Sequence, residues 1–360
     1  MSLQKDKSLK RLNILVASAW TGGHIYPGIC ILEALKEYVQ ELNAIFVTNK
    51  KGPAIHIIKK YGYKPVFIDI DGPLKWLLFR RMFQLLRKNS PHIILGLGGF
   101  LSAAACIAGK LIGIPVFAHE QNFVPGRANR ILYRLFILDK LFVSFKETEK
   151  LIDGKRCLYS GNPVRKEFFQ IKEKNRPEFT ILVIGGSQGS VAVNSVFLQA
   201  LEFLLEKGIK PNVIHQTGDI DFERVKNKYK EMDIKAQVFS FADNMPELLC
   251  KADLVLSRAG ASSIFELAAA GKASILIPYP FATDNHQEKN ALMLERVGGA
   301  VVIPQSQLTP EKLAMFIKAF MDRPELLHML GHNARRLANP DSARIIAEHI
   351  IMRLKQNETS

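Results

Sequence analysis

Three features of this 360-residue sequence predict an α/β protein made of two doubly wound, Rossmann-like parallel sheets, in two domains that face a cleft. Short apolar runs alternate with longer helix-period stretches along the whole chain, the signature of parallel βα units. The pattern restarts after Asn162-Pro163. Each half also opens with a strand, a glycine-rich turn and a helix: NILVASAWTGGHIYPG running into ICILEALKEYV, and TILVIGGSQGS running into VAVNSVFLQALEFLLEKG. Such sheets bind ligands at the carboxyl ends of their strands.

Length supports two domains, since a single hydrophobic core stops growing below this size. The expected division is 1–163 and 164–340, with a final helical segment, Asp341 to Lys355, packing back on the first domain. The basic start of the chain reads as a tail leading into the first strand, because the apolar run Ile14 to Ala17 is too short for a signal segment. Expected strands in the first series are Leu12–Ala17, Ala44–Thr48, His92–Leu95, Val116–His119 and Lys140–Ser144. The second series holds Thr180–Ile184, Asn212–Gln216, Gln237–Phe239, Leu254–Ser257 and Ser274–Pro278. Ile93 to Ala118 is almost uncharged and long enough to span a bilayer. Its glycines, Pro115 and Lys110 favour strand, loop, buried helix and strand instead.

Composition is that of a soluble globular protein, with 48% hydrophobic and 23% charged residues. Cys30, Cys106, Cys157 and Cys250 are far apart and form no CxxC, which argues against a zinc site or a disulfide framework and for a reducing cytoplasm. Of the net charge of +15, residues 1–163 carry +13 (24 Lys and Arg against 11 Asp and Glu). Residues 164–360 carry +2 (25 against 23). A polyanionic partner is therefore expected for the first half, nucleic acid or an anionic membrane surface. The segment 71–88 favours the membrane. It sets Leu74, Trp76, Leu77, Phe79 and Phe83 among Lys75, Arg80, Arg81, Arg87 and Lys88, as in a helix lying in a bilayer interface. The alternative is a buried helix with a basic rim. Arg127, Arg130, Arg134 and Lys140, around Leu132, Leu135 and Phe136, extend this surface. No aromatic-rich sheet motif accompanies the charge, so no nucleic-acid partner is expected.

The candidate chemistry lies in loops after strands. Gly22-Gly23-His24 falls between the first strand and its helix, where backbone N–H groups and the helix dipole favour an anion, and where a histidine can contact phosphate or act as general base. The other reading of His24 is a helix-capping side chain. Gly185 to Gly189 repeats the geometry, but a glycine-rich turn alone is weak evidence. Thr48-Asn49 and Gln216-Thr217 stand where a dinucleotide site needs an acid, which disfavours NAD. In Ser257 to Glu266, the N–H groups of Ala261 to Ile264 suit a pyrophosphate and the Glu266 carboxylate suits ribose hydroxyls. His119-Glu120-Gln121-Asn122 and Asn285 to Asn290 offer amides and carboxylates for sugar hydroxyls, or are surface loops. Asp69-Ile70-Asp71 and Asp219-Ile220-Asp221 invite a metal, but neither has a third oxygen ligand nearby. No metal and no cofactor are expected.

Seven motifs in order along nearly the whole chain (TGGHIYPG, GGF, HEQN, GNPVR, GGSQGS, SRAGASSIFELAAAG and HQEKNA) resemble the MurG family, the N-acetylglucosaminyltransferases of glycosyltransferase family 28 that convert lipid I to lipid II in bacterial peptidoglycan synthesis. The resemblance implies a GT-B fold and an inverting, metal-independent transfer of GlcNAc from UDP-GlcNAc to the C4 hydroxyl of the muramyl sugar of lipid I. It implies a peripheral protein on the cytoplasmic face of the plasma membrane. It implies that Thr21, Gly22, Gly23, Asn122, Arg165, Ser187, Ala242, Ala261, Ser262, Ser263, Ile264, Phe265, Glu266 and Gln287 contact UDP-GlcNAc, and that His24 is the catalytic base. Two departures fall on the acceptor side: Ala19-Trp20 replaces the usual Gly-Gly, and the loop at Gly98 to Ala104 lacks a following Gly-Pro. Two alternatives stay open, a GT-B enzyme glycosylating another lipid such as diacylglycerol, and a noncatalytic membrane-docked UDP-sugar-binding module.

Overall fold

A computed structural model describes residues 9–18, 22–49, 54–68, 75–152, 154–171, 178–186 and 188–358. It divides into two compact units, residues 1–165 with 339–360, and residues 166–338.

In the first unit the order is β1 (Leu9–Ala17), α1 (Gly22–Leu35), β2 (Val39–Thr48), α2 (Ala54–Lys60), β3 (Lys64–Phe67), α3 (Lys75–Asn89), β4 (Ile93–Gly96), α4 (Phe100–Leu111), β5 (Val116–Glu120), α5 (Arg127–Arg134), β6 (Lys140–Val143), α6 (Thr148–Leu151) and β7 (Cys157–Tyr159). The described strands form one parallel sheet in the order β3-β2-β1-β4-β5-β6-β7. Alternation along β1 supplies both faces. Leu12, Ile14 and Val16 join the core beneath α1, while Leu15 and Ala17 join the core beneath α3 and α4. The bilayer-length stretch resolves into β4, α4 and β5, each largely buried. Among the described residues no helix is long and apolar enough to cross a membrane.

Two elements of this unit settle differently from the plainest reading of their sequence. In α3, Leu78, Met82 and Leu86 recur every four residues and are buried against Leu15, Val47 and Ile94. Phe79 and Phe83 pack half-buried on the same core. Leu77 is half-buried, and Arg80 and Arg81 face solvent. Leu74 and the Trp76 side chain lie outside the described residues. In α5, Leu132 is fully buried, so the apolar residues left exposed there are Ile131, Leu135 and Phe136.

The second unit runs α7 (Lys166–Phe169), β8 (Thr180–Ile184), α8 (Val191–Glu206), β9 (Asn212–Gln216), α9 (Phe222–Glu231), β10 (Ala236–Phe239), α10 (Met245–Lys251), β11 (Leu254–Ser257), α11 (Ala261–Ala270), β12 (Ala273–Leu276), α12 (His286–Arg296), β13 (Ala300–Val302), α13 (Pro310–Asp322) and α14 (Pro324–Ala334). Its described strands are again all parallel, ordered β10-β9-β8-β11-β12-β13. Ile181, Val183, Leu254, Leu256 and Ile275 pack with Phe197, Leu201 and Ile317 in its core.

The chain then returns to the first unit as α15 (Ser342–Glu358), where Ile346, Ala347, Ile350 and Ile351 complete the core beneath α1. Tyr38 Oη donates to Glu348 Oε1 at 3.0 Å, and Arg344 reaches the same carboxylate. Burial and that bond push the Tyr38 phenol up to about 12.

Candidate active site

Strand order reverses between β1 and β4 in the first sheet and between β8 and β11 in the second, the position at which such sheets open a ligand crevice.

In the first unit that point gathers the start of α1 and the loop after β4. An added Cβ on Gly28 would run into Leu97, so this glycine sets how closely α1 lies on the sheet. His24 stands in the first turn of α1, its Nδ1 3.0 Å from Gln121 Oε1. Gly98 faces the imidazole with a left-handed φ of 97°, and a Cβ there would come within 3.3 Å of the ring. Beneath lies a buried polar layer. His119 Nε2 is 3.3 Å from the Gly161 carbonyl, and burial lowers its pKa to about 4. Ser144 Oγ donates to the Glu120 carbonyl at 2.8 Å. The Glu120 carboxylate accepts from Asn122 N, Asn122 Nδ2, Gly126 N and Asn129 Nδ2, which fixes the loop between β5 and α5. At the ends of β1 and β2, Ser18 Oγ, Thr48 Oγ1 and Asn49 Oδ1 are buried with no hydrogen-bond partner among the described residues.

In the second unit, β8 is followed by Gly185-Gly186. A Cβ on Gly189 would overlap the Thr217 carbonyl, and one on Gly218 the Gln188 carbonyl, so the two turns meet backbone to backbone. Asn194 holds the far side by donating to the Thr217 carbonyl at 3.1 Å and Asp221 Oδ2 at 2.7 Å. Its Oδ1 accepts from His215 Nε2, whose ring is buried and whose pKa burial lowers to about 3. Asp221 is thus tied to Asn194 and Arg224. Burial raises its pKa, but those hydrogen bonds and the Arg224 charge outweigh it and hold the carboxyl below its ordinary range. Among the described residues no cluster of three His, Cys, Asp or Glu could hold a metal ion.

Arg258 is the buried cation of this site, with a pKa that burial lowers. Nη1 donates to the carbonyls of Ile277 and Pro278 and Nη2 to Ser190 Oγ and Gln305 Oε1. Gln287 Oε1 accepts from Ala259 N at 3.2 Å and Tyr279 N at 3.0 Å, stitching the end of β11 to the end of β12.

Sequence comparison gives this geometry a lineage. The model of the glycosyltransferase family 28 N-terminal domain matches residues 14–137, and that of the family 28 C-terminal domain residues 180–346. A protein of Syntrophus aciditrophicus described as UDP-N-acetylglucosamine--N-acetylmuramyl-(pentapeptide) pyrophosphoryl-undecaprenol N-acetylglucosamine transferase is 38% identical over 355 residues, covering 94% of this chain and 97% of its own. This chain belongs to the MurG family. A Geobacter sp. (strain M21) protein of the same description is 35% identical over 364 residues, 96% of this chain and 98% of its own. The crystal structure of Acinetobacter baumannii MurG superposes with a TM-score of 0.76 at 26% identity, over 95% of this chain and 99% of that one. Membership of the MurG family makes the chain a glycosyltransferase with two Rossmann-like domains.

The MurG motifs distribute as follows. His24, Gly23 and Asn122 lie at the switch point of the first unit, and Gly22 opens α1. Arg165 also belongs to the first unit, its guanidinium 4.2 Å above the Tyr26 ring. Ala242 lies buried after β10. Ala261, Ser262 and Ser263 form the first turn of α11, whereas Ile264 and Phe265 turn their side chains into the core. The Ile264 N–H donates to the Gly260 carbonyl at 3.1 Å, so helix formation already uses it. Glu266 follows half-buried on α11. Thr21, Ser187, Ala19-Trp20 and Asp69 to Asp71 lie outside the described residues. The sequence offers Gln121 only as one of four polar residues suited to sugar hydroxyls, and gives Arg258 no role of its own within the Ser257 to Glu266 loop. For Arg258 the signal was an arginine directly after the short strand Leu254–Ser257, which is buried along its whole length, a place where a cation must be bonded from several sides.

Proposed function

We propose that this chain transfers GlcNAc from UDP-GlcNAc to the C4 hydroxyl of the muramyl sugar of lipid I, forming lipid II. The observation that carries the reading is near-full-length similarity to relatives described as that transferase, together with His24 standing at the switch point of the first sheet. In the proposed step His24 takes the C4 hydroxyl proton as the oxygen attacks the anomeric carbon. The new C–O bond forms as the bond to the pyrophosphate breaks, inverting the centre, and the electron pair leaves with UDP. Positive potential at helix N-termini opposes the charge developing on that leaving group, electrostatic help that needs no reorganisation at the moment of reaction.

Donor recognition is assigned to the second unit, through the Gly185 to Gly189 turn with Ser187, the first turn of α11 from Ala261 to Ser263, Glu266, Gln287 and the backbone at Ala242. Thr21, Gly22, Gly23, Asn122 and Arg165 complete the donor set in this reading. What supports it is the bonding at the second switch point, where Arg258, Ser190 and Gln287 tie three strand ends together. The first unit is assigned to the acceptor and to the anionic cytoplasmic face of the membrane. Support comes from Leu111, Ile131, Leu135 and Phe136, all more than half exposed, beside Lys110, Arg127 and Arg134.

The test is UDP release with lipid I against release with diacylglycerol. Turnover with lipid I alone is expected, and turnover with diacylglycerol alone overturns the acceptor. His24→Ala is expected to abolish turnover while leaving UDP binding intact, and near-normal turnover removes His24 from the role.

A further inference from the structure

We infer that Gln121 is a positioning residue that holds His24 in one tautomer, with the hydrogen on Nδ1 and Nε2 bare. This deepens the reading of His24 as the base and rests on it.

The orientation of the Gln121 amide is settled by what surrounds it. Its nitrogen lies 3.3 Å from the Leu97 carbonyl and 3.3 Å from the His119 carbonyl, two groups that can only accept. Turning the amide over would set oxygen against oxygen at both. The Gln121 Oε1 therefore faces His24 Nδ1 at 3.0 Å. An amide oxygen only accepts, so Nδ1 must donate. A neutral imidazole carries a single ring hydrogen, so Nε2 is then the basic nitrogen.

His119 fixes the same order from the other side. Its Nε2 lies against the Gly161 carbonyl at 3.3 Å, which again can only accept, so the ring hydrogen sits there. Full burial keeps the ring neutral, with its pKa lowered to about 4. The His119 Nδ1 is then bare and accepts from Gln121 Nε2 at 3.2 Å. From the Gly161 carbonyl through His119 and Gln121 to His24, one assignment of hydrogens agrees with each of these contacts, the two hydrogens of Gln121 Nε2 being shared among the Leu97 carbonyl, the His119 carbonyl and His119 Nδ1. Gly98 lies beside the ring, where a Cβ would press on His24 Cε1 at 3.3 Å and Nδ1 at 3.5 Å. Placing a neutral amide beside the base orients it without adding a charge.

The experiment is long-range 1H–15N spectroscopy of the full chain labelled at histidine, with the His24 signals identified by their loss in His24→Ala. The expected wild-type spectrum has a protonated Nδ1 and a bare Nε2 at His24. In Gln121→Met, Nδ1 loses its acceptor and the spectrum is expected to shift toward the Nε2–H form. With it kcat is expected to fall by about 10- to 100-fold, a part of what a general base contributes. KM for UDP-GlcNAc is expected to stay within about twofold, since no binding interaction common to ground and transition states is removed. An Nε2–H His24 in the wild type overturns the inference, and that spectrum decides even where Gln121→Met fails to fold. So does an unchanged kcat in the variant, or a loss confined to KM. Retained turnover in His24→Ala overturns the base itself, whichever tautomer is observed.

Discussion

Arg258 and Ser190 are joined across the switch point of the second sheet, Nη2 donating to Oγ at 2.8 Å, while the same hydroxyl caps α8 by accepting from Val193 N. One side chain thus links the end of β11 to the start of the helix after β8, and its other nitrogen reaches the end of β12. Arg258→Ala leaves two carbonyls, a hydroxyl and an amide oxygen short of a donor, and is expected to destabilise the protein by about 1–3 kcal/mol for each buried group left unsatisfied. Arg258→Lys is expected to recover only part of this, because a single ammonium cannot span the four acceptors. Urea unfolding of the two variants reads the difference.

Gly189→Ala is expected to be worse than its size suggests. The residue has φ 76°, and its new methyl would meet the backbone of Thr217 and Gly218, which cannot swing aside as a side chain would. Loss of UDP-GlcNAc binding together with a lowered midpoint of thermal unfolding is the expected result. Normal values of both would show that the two turns separate at little cost.

Two buried histidines set an acid limit on stability. His119 and His215 have ordinary pKa values of 6.5 that burial lowers to about 4 and about 3. Both remain neutral in the folded protein while the unfolded chain takes up protons below pH 6.5, so stability present above that pH is lost as pH falls toward the folded values. At pH 5 each contributes a loss of about 2 kcal/mol. Denaturant unfolding at pH 7 and pH 5 measures it. His215→Asn is expected to flatten the profile, whatever it does to stability at pH 7.

The apolar surface of α5 and the end of α4 is expected to dock on anionic vesicles. Leu135→Ser with Phe136→Asn, the latter chosen because Phe136 has a left-handed φ of 59° that asparagine tolerates, should weaken binding about tenfold or more. Raised salt should weaken it as well. Phe79→Ala, on a side chain half-buried against the core, should instead lower stability.

Packing of α15 on α1 gives a further stability test. Ile350 is fully buried, and Ile350→Ala is expected to cost about 2–5 kcal/mol. Hydrogen exchange should rise in α1 and β1 while β8 and β11 stay protected.

Sequence pattern made the two sheets legible because β4, β8 and β11 are short and mostly apolar with a glycine in them or within three residues after them, and β1, though longer and charged at its start, ends in the apolar run Ile14 to Ala17. The strands that went unread, β3, β7 and β13, are three or four residues long, mostly half-buried, and lie at or near sheet edges, so nothing in their composition marks them. Cations throughout α3 made it resemble an interfacial helix, whereas its four-residue repeat of Leu78, Met82 and Leu86 faces the core. Of the site, the loops could be read but not the bonds. Gln121 and His24 are 97 positions apart, and only the packing of α1 against the end of β5 reveals that one orients the other.

The last helix carries a consequence for how the protein is made. Ile346, Ala347, Ile350 and Ile351 belong to the core of the first unit, yet the ribosome delivers them after the whole of the second. The second unit is one continuous stretch of chain and can fold as soon as it emerges. The first cannot cover the apolar face of α1 until α15 arrives, so order of synthesis and order of completion are reversed. A nascent chain halted before Asn339 would carry a finished second domain and an unfinished first one, open to chaperones at the surface that α15 later seals.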